Sequence, residues 1–427
     1  MNTLSLIWKT KDLRWKIFMV TILLLATRVL VHIPIPGVSV SGLRAFFESN
    51  QFLNLLNIFS GGGMTNFSIA MLGVGPYITA SIIMQLLVMV VPSLTELQKE
   101  SGEAGRTKIN SYTRFLTIPL TAISAFGTIR LLQSQGGADL LGVFSPFQWF
   151  LTLISIIAGT MFVMWIGEII SEYGIGNGLS LIIFAGIVSS LPRSIGSFVQ
   201  LYDPSQLPTI IAFIVIGLIL VAGVVIVTEA QRNVPVTYAK RMRGDRQVGG
   251  VGNSHLPLRL NQAGVIPIIF AISLLLFPAI VAQFFVNAKN EMVADWAQKA
   301  IDFSNNQGLW YGIAYFLLVV AFTFFYSNIV VNPDDVAENM QRSGGFIPGI
   351  RPGKQTADYL YRVLNLITLP GSLFLGFIAV LPFIVQQYTG TQALSLGGSS
   401  LLIVVAVVIE SVKQIEAQLT MHDYRGY

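Results

Sequence analysis

Ten stretches of this chain are apolar over lengths that reach or approach a membrane span, at about 17–36, 77–92, 114–132, 150–170, 179–191, 208–228, 265–286, 310–330, 360–384 and 400–419. A helix needs about 20 apolar residues to cross the hydrocarbon core of a bilayer. No water reaches a backbone N–H or C=O there, and a helix satisfies those groups within one segment. The stretches therefore predict spanning helices. The fifth is short and needs part of its Gly-rich approach to span. The first follows Lys9, Lys11, Arg14 and Lys16, a basic start that imitates a signal peptide. It is long and no small-residue cleavage site follows it, so it reads as the first spanning helix.

Charged residues make up only 11% of the 427 positions, against roughly 25% in soluble domains. Such a chain cannot cover a water-exposed surface, and no interval between the apolar stretches is long and polar enough for a separate soluble domain. The net charge of +5 is too weak to point to nucleic acid. The basic residues instead cluster in alternate loops. Twenty Lys and Arg fall on one side of the ten windows, five on the other, and Arg28 inside the first window. The bias places the richer side and both termini in the cytoplasm and fits an even number of crossings. The fourth-to-fifth loop is the exception, with Glu168 and Glu172 and no basic residue. The chain has no cysteine, which excludes disulfides, thiolate metal sites and a cysteine nucleophile.

Ten segments divide into five plus five, the arrangement of inverted repeats in membrane transport proteins. The second and seventh segments then correspond. The second follows Gly61-Gly62-Gly63 and contains Gly73, Gly75 and Pro76; the seventh opens with Asn261, Gly264 and Pro267. Paired interrupted segments in matching positions point to a pathway between the halves.

Ion-coupled carriers place ionisable groups at mid-membrane. Here Arg28 lies near the outer end of its segment, where a long side chain is expected to snorkel. Glu168, Glu229 and Glu410 lie toward cytoplasmic ends, and the interior polar residues Thr79, Gln85, Thr121 and Asn261 are neutral. His32, His255 and His422 have no metal-ligand spacing, and no Walker motif is present. The run Gly174–Ser180, GIGNGLS, has a superficial likeness to a phosphate loop but lacks a preceding strand; it reads as a turn into the fifth segment. No catalytic residue, metal or cofactor is expected. The residues alone favour a channel and leave a secondary transporter of small solutes open. Two cytoplasmic loops stand out, 231–260 and 331–356. The first is rich in Arg and Lys. The second sets Arg351 in a Gly/Pro frame, Gly344 to Gly353. Anionic-lipid contact would need only the charge. The special backbone angles of Gly and Pro suggest a loop shaped to dock a soluble partner.

Several of these stretches resemble the SecY family, the channel subunit of the bacterial Sec translocon. They are Phe59-Ser60-Gly61-Gly62 with Pro76 to Ile83, the GIGNGLS run with Ile182 to Val188, and Val234 to Arg241. Further on come Asn261 with Gly264 to Pro267, Asn332-Pro333, Ala337 to Met340, Gly344 to Gly353, and Gly397 to Val405. They occur in the family's order from end to end.

The resemblance implies an all-α integral membrane protein with ten transmembrane helices in two pseudo-symmetric inverted halves of five, residues 1–195 and 196–427. An hourglass pore lies between the halves, and matching motif by motif puts Val74, Ile78, Leu179, Ile183, Ile269 and Ile403 in the apolar ring at its waist. A plug at about 59–72, with Ser60, Gly61, Gly62, Met64, Asn66 and Phe67, closes the outer side. Segments two and seven form a lateral gate, with Thr79, Gln85, Asn261 and Phe277. Lys240, Arg241, Arg243 and Arg351 dock a motor or ribosome. The implied function is passage of unfolded preproteins across, and insertion of membrane proteins into, the bacterial cytoplasmic membrane. The implied partners are the small membrane subunits SecE and SecG, the motor ATPase SecA, the ribosome, signal peptides, nascent chains and anionic lipids, with room for a homodimer. No energy source resides in the chain, so it comes from a docked ATPase or a translating ribosome.

Overall fold

The computed structural model describes residues 10–36, 43, 47, 57, 60–100, 102–136, 144–200, 207–238, 242–243, 246–247, 253–282, 284–286, 290–305, 308–389 and 398–425. Ten helices carry the ten apolar windows: α1 (Lys11–Val31), α2 (Gly75–Val90), α4 (Gly102–Gly136), α5 (Pro146–Tyr173), α6 (Gly178–Gln200), α7 (Leu207–Glu229), α8 (Ile266–Ala282), α10 (Leu309–Val331), α12 (Lys354–Thr389) and α13 (Gly398–Arg425). Three more polar helices connect them: α3 (Pro92–Glu100), α9 (Glu291–Asn305) and α11 (Pro333–Arg342). Four segments, Ala104–Gln133, Pro146–Tyr173, Leu309–Arg342 and Lys354–Leu381, are long and apolar enough to cross a membrane by length and composition. Gly75–Val90, Gly178–Ser190, Ile214–Glu229 and Ile266–Ala282 are equally apolar but shorter. Outward faces stay greasy: α7 leaves Leu218, Ile219 and Ile226 exposed. A row of that kind belongs in lipid, since a water-soluble monomer rarely shows one.

Local sequence sets the helix starts. Ser145 caps α5 by accepting from the Gln148 amide at 3.3 Å, while its own N–H donates to Gln148 Oε1 at 2.9 Å. Pro146 follows in the first turn, where a missing N–H costs nothing. The Gly-rich run before α6 is a turn. Asn177 Oδ1 accepts from the amides of Leu179 and Ser180, so its tight shape serves helix capping.

Helices α1 to α6 and α7 to α13 meet along two lines. On one, α2 and α4 pack on α8; on the other, α6 packs on α13. The largest apolar core spans both groups. The loop expected to lack basic residues finds one in space: Arg114 of α4 donates from Nε to Glu168 Oε1 at 2.8 Å.

The two long polar loops differ from their sequence reading as separate shaped loops. Strands β1 (Gln231–Tyr238) and β4 (Asn253–Arg259) pair antiparallel from Gln231 opposite Arg259 to Thr237 opposite Asn253. Strand β5 (Gly345–Phe346), from the second loop, adds to β1 through Thr237–Phe346 and Tyr238–Gly345. The short strands β2 (Met242–Arg243) and β3 (Arg246–Gln247) form a separate pair. Val234, Val236 and Leu258 of the sheet bury against Met340, Ile347, Leu360, Val363 and Ile367. A small second core therefore welds both loops to the foot of α12.

Candidate functional site

Where α2, α4, α6 and α8 converge, a narrow cavity of about 90 Å³ remains. Val74, Ile78, Ile183 and Ile269 line it, with Thr79, Ser124, Thr128 and Phe277 among its other walls. Four of the six expected ring residues thus face one space. The other two belong to the same apolar cluster without lining the cavity. Ile403 is fully buried in that cluster, and Leu179 leans toward Gly167 of α5. Aliphatic walls of this kind exclude water and offer a passing chain no directional bond.

Segment 60–73 closes one side, with Ser60, Met64 and Leu72 on the cavity wall. It is folded on itself. Gly62 N–H donates to Asn57 O, Ser60 Oγ to the same oxygen, and Ser68 N–H to Gly63 O at 3.0 Å. Its apolar side is inserted under α4 and α5. Met64, Phe67 and Met71 bury with Ala125, Ile129 and Ile156, and Phe67 lies 6.5 Å from Phe144 between ring centroids. The far end of the segment is stitched to the chain leaving α1. Ile35 N–H donates to Phe67 O at 2.9 Å, Ile69 N–H donates to Ile33 O at 3.1 Å, and Asn66 Nδ2 donates to Val31 O at 3.3 Å. The approach to α5 is close enough that a Cβ on Gly159 would stand 2.1 Å from Ile69 O. Position 59, the expected start of the plug, lies outside the described residues.

Of the expected gate residues, Thr79 and Phe277 line the cavity, and α2 packs on α8. Gln85 and Asn261 do not reach it. Gln85 Nε2 donates to Ser81 Oγ and Asn261 Nδ2 donates to Gly264 O. Their carbonyl oxygens, Gln85 Oε1 and Asn261 Oδ1, are buried without a partner among the described residues. Sequence reasoning missed Ser124 and Thr128, one turn apart on α4, which bring polar atoms to the cavity wall. Their i, i+4 spacing was the available signal.

Arg351 is exposed on a fixed loop. Gly349 and Gly353 hold φ of +83° and +96° on either side of it, angles that side chains resist. Ile347 is buried in the apolar core beneath the sheet, and Arg351 O accepts from Thr356 Oγ1 at 2.9 Å. The guanidinium is presented rather than packed. Lys240 and Arg241 lie outside the described residues; Arg243 belongs to β2.

The SecY family model matches residues 68–412. The protein translocase subunit SecY of Streptomyces galbus is 44% identical over 98% of both chains, and that of Staphylococcus carnosus is 41% identical over 98% of this chain and 97% of its own. Among solved structures, a protein-conducting channel superposes with a TM-score of 0.61 at 20% identity over 93% of this chain and 91% of its own. Sec61 in a canine ribosome–channel complex from the endoplasmic reticulum gives a TM-score of 0.57 at 19% identity over the same shares.

Proposed function

The chain belongs to the SecY family, and on that premise we propose that it is the protein-conducting channel subunit of a bacterial translocase. It passes unfolded preproteins across the cytoplasmic membrane and inserts membrane proteins into it. Of the two classes left open by the residues alone, family membership selects the channel over the small-solute transporter. The observation that carries the reading is one cavity walled by Val74, Ile78, Ile183 and Ile269 and covered by segment 60–73.

The mechanism follows from those walls. In the resting state the aliphatic ring packs against itself and segment 60–73 covers it, so neither water nor ions wet the path. An unfolded chain threads the ring once the segment moves. The branched side chains of the ring, including Leu179 and Ile403, yield around varied residues without holding any. The seam between α2 and α8, with Thr79, Gln85, Asn261 and Phe277, is the lateral gate through which an apolar signal helix reaches lipid. Ten crossings put both termini in the cytoplasm, with the sheet of β1, β4 and β5 on the same side. The sheet and Arg351 form the platform for SecA or the ribosome. Small subunits SecE and SecG complete the complex. The chain carries no enzymatic activity of its own, and the docked partner supplies the energy.

The test is reconstitution of the purified complex in liposomes with SecA, ATP and a precursor. Protease-protected precursor is the expected product. Lack of protection in an assembled complex, together with ion-coupled uptake of a small solute, would overturn the reading.

A further inference from the structure

Arg28 does not snorkel to the surface as its position in the last turn of α1 suggested. The side chain turns inward. Nη2 donates to Gly61 O at 2.9 Å, and Nη1 donates to Ser189 Oγ on α6. Its Nε is buried with no acceptor, and no carboxylate pairs with it among the described residues. The fit is tight. A Cβ on Gly61 would lie 2.5 Å from Nη2 and 3.2 Å from Gly186 Cα. Gly61 also holds a φ of +70°, a conformation that side chains avoid.

A half-buried guanidinium without a counter-ion depends on the few acceptors it has. One of those acceptors, Gly61 O, sits in the segment that covers the cavity. When the segment leaves, that oxygen leaves with it, and the charge is left in an apolar layer with one donor fewer satisfied. The loss opposes departure. A carboxylate on a fixed helix would have satisfied Arg28 in both positions and removed this bias. Neutral acceptors let the contact hold and still release.

We propose that Arg28 is the latch of the resting channel, pinning segment 60–73 to α6 through Gly61 O and Ser189 Oγ. This positioning role rests on the reading of that segment as the closure of the pore. Losing the contact shifts the population toward the uncovered state, and a charge-assisted bond of this kind corresponds to a change of about tenfold.

The test measures resting ion conductance of the intact complex in planar bilayers. Arg28→Met removes every donor at similar length. Gly61→Ala breaks the same contact from the other side and keeps the charge. Deletion of residues 60–66 serves as the benchmark for an uncovered pore. Each point variant is expected to raise resting conductance about tenfold, and the double variant to leak no more than Arg28→Met alone, because that variant already removes the bond to Gly61 O. Ser189→Ala is expected to give a smaller rise. A leaking benchmark beside tight Arg28→Met and Gly61→Ala channels would overturn the latch alone. A tight benchmark would overturn the reading of the segment, and the latch with it. If Arg28→Met fails to assemble, Gly61→Ala decides.

Discussion

Thr79 on α2 and Phe277 on α8 face the same cavity from the two sides of the seam where these helices pack. The chain has no cysteine, so Thr79→Cys with Phe277→Cys introduces the only two thiols. A disulfide needs Cα atoms about 4.4–6.8 Å apart. The pair is expected to oxidise in the resting channel and stop export, with recovery on reduction. A long flexible crosslinker is expected to be tolerated better, since it lets the helices part. Full oxidation with undiminished export would show that this seam is not the moving gate.

The aliphatic ring gives a second expectation. Ile78 and Ile183 are buried on the cavity from different helices. Ile78→Ser with Ile183→Ser puts hydroxyls where only carbon stood, and water follows polar lining into a narrow apolar gate. Small-ion conductance in planar bilayers is expected to rise, while assembly of the complex persists. Unchanged conductance would place the constriction elsewhere.

Arg351 is held out by a loop whose backbone is fixed on both sides. Arg351→Glu is expected to lower motor-dependent export by about tenfold or more, because the forked donors are lost and a repulsive charge is added. Membrane insertion of the channel itself is expected to be normal, since the side chain packs nothing. Export at the parental rate in an ATP-driven vesicle assay would remove Arg351 from the docking surface.

Close packing of segment 60–73 on α5 can be probed at Gly159. An added methyl would meet Ile69 O at 2.1 Å. Gly159→Ala is expected to destabilise the closed form by roughly 1–3 kcal/mol, the usual cost of overpacking. A lower thermal midpoint in detergent together with a raised ion leak is the expected signature. A midpoint and leak equal to those of the parent would mean that the segment sits elsewhere in the membrane.

The sequence carried the helices well, because a bilayer demands long apolar runs and these are visible without knowing any contact. Each of the ten windows overlaps a helix, the first running past the end of α1 at Val31 and the seventh past the end of α8 at Ala282. Segments two and seven, both marked by Gly and Pro, do meet in space, α2 packing on α8. Three features were not legible. Strand β5 is only two residues long, too short for any periodicity, and it pairs with β1 more than a hundred residues earlier. The depth of Arg28 in the membrane follows from counting residues, but its direction does not. Its acceptors are 33 and 161 residues away, and only the folded chain brings them together. The inward lean of Leu179 toward Gly167 likewise depends on how α5 and α6 nest, which motif matching does not see.

The three-stranded sheet has a consequence for how work enters the membrane. Strand β4 ends at Arg259 and α8 begins at Ile266, so α8 hangs from the sheet by a very short tether. Leu260 at the head of that tether is itself clamped, its N–H donating to Ala230 O at 2.8 Å and its carbonyl lying against Gly371 of α12. Strand β5 ties in the loop that carries Arg351. On the proposed reading, a motor gripping either loop would hold a single handle, and its stroke would reach α8 as torque.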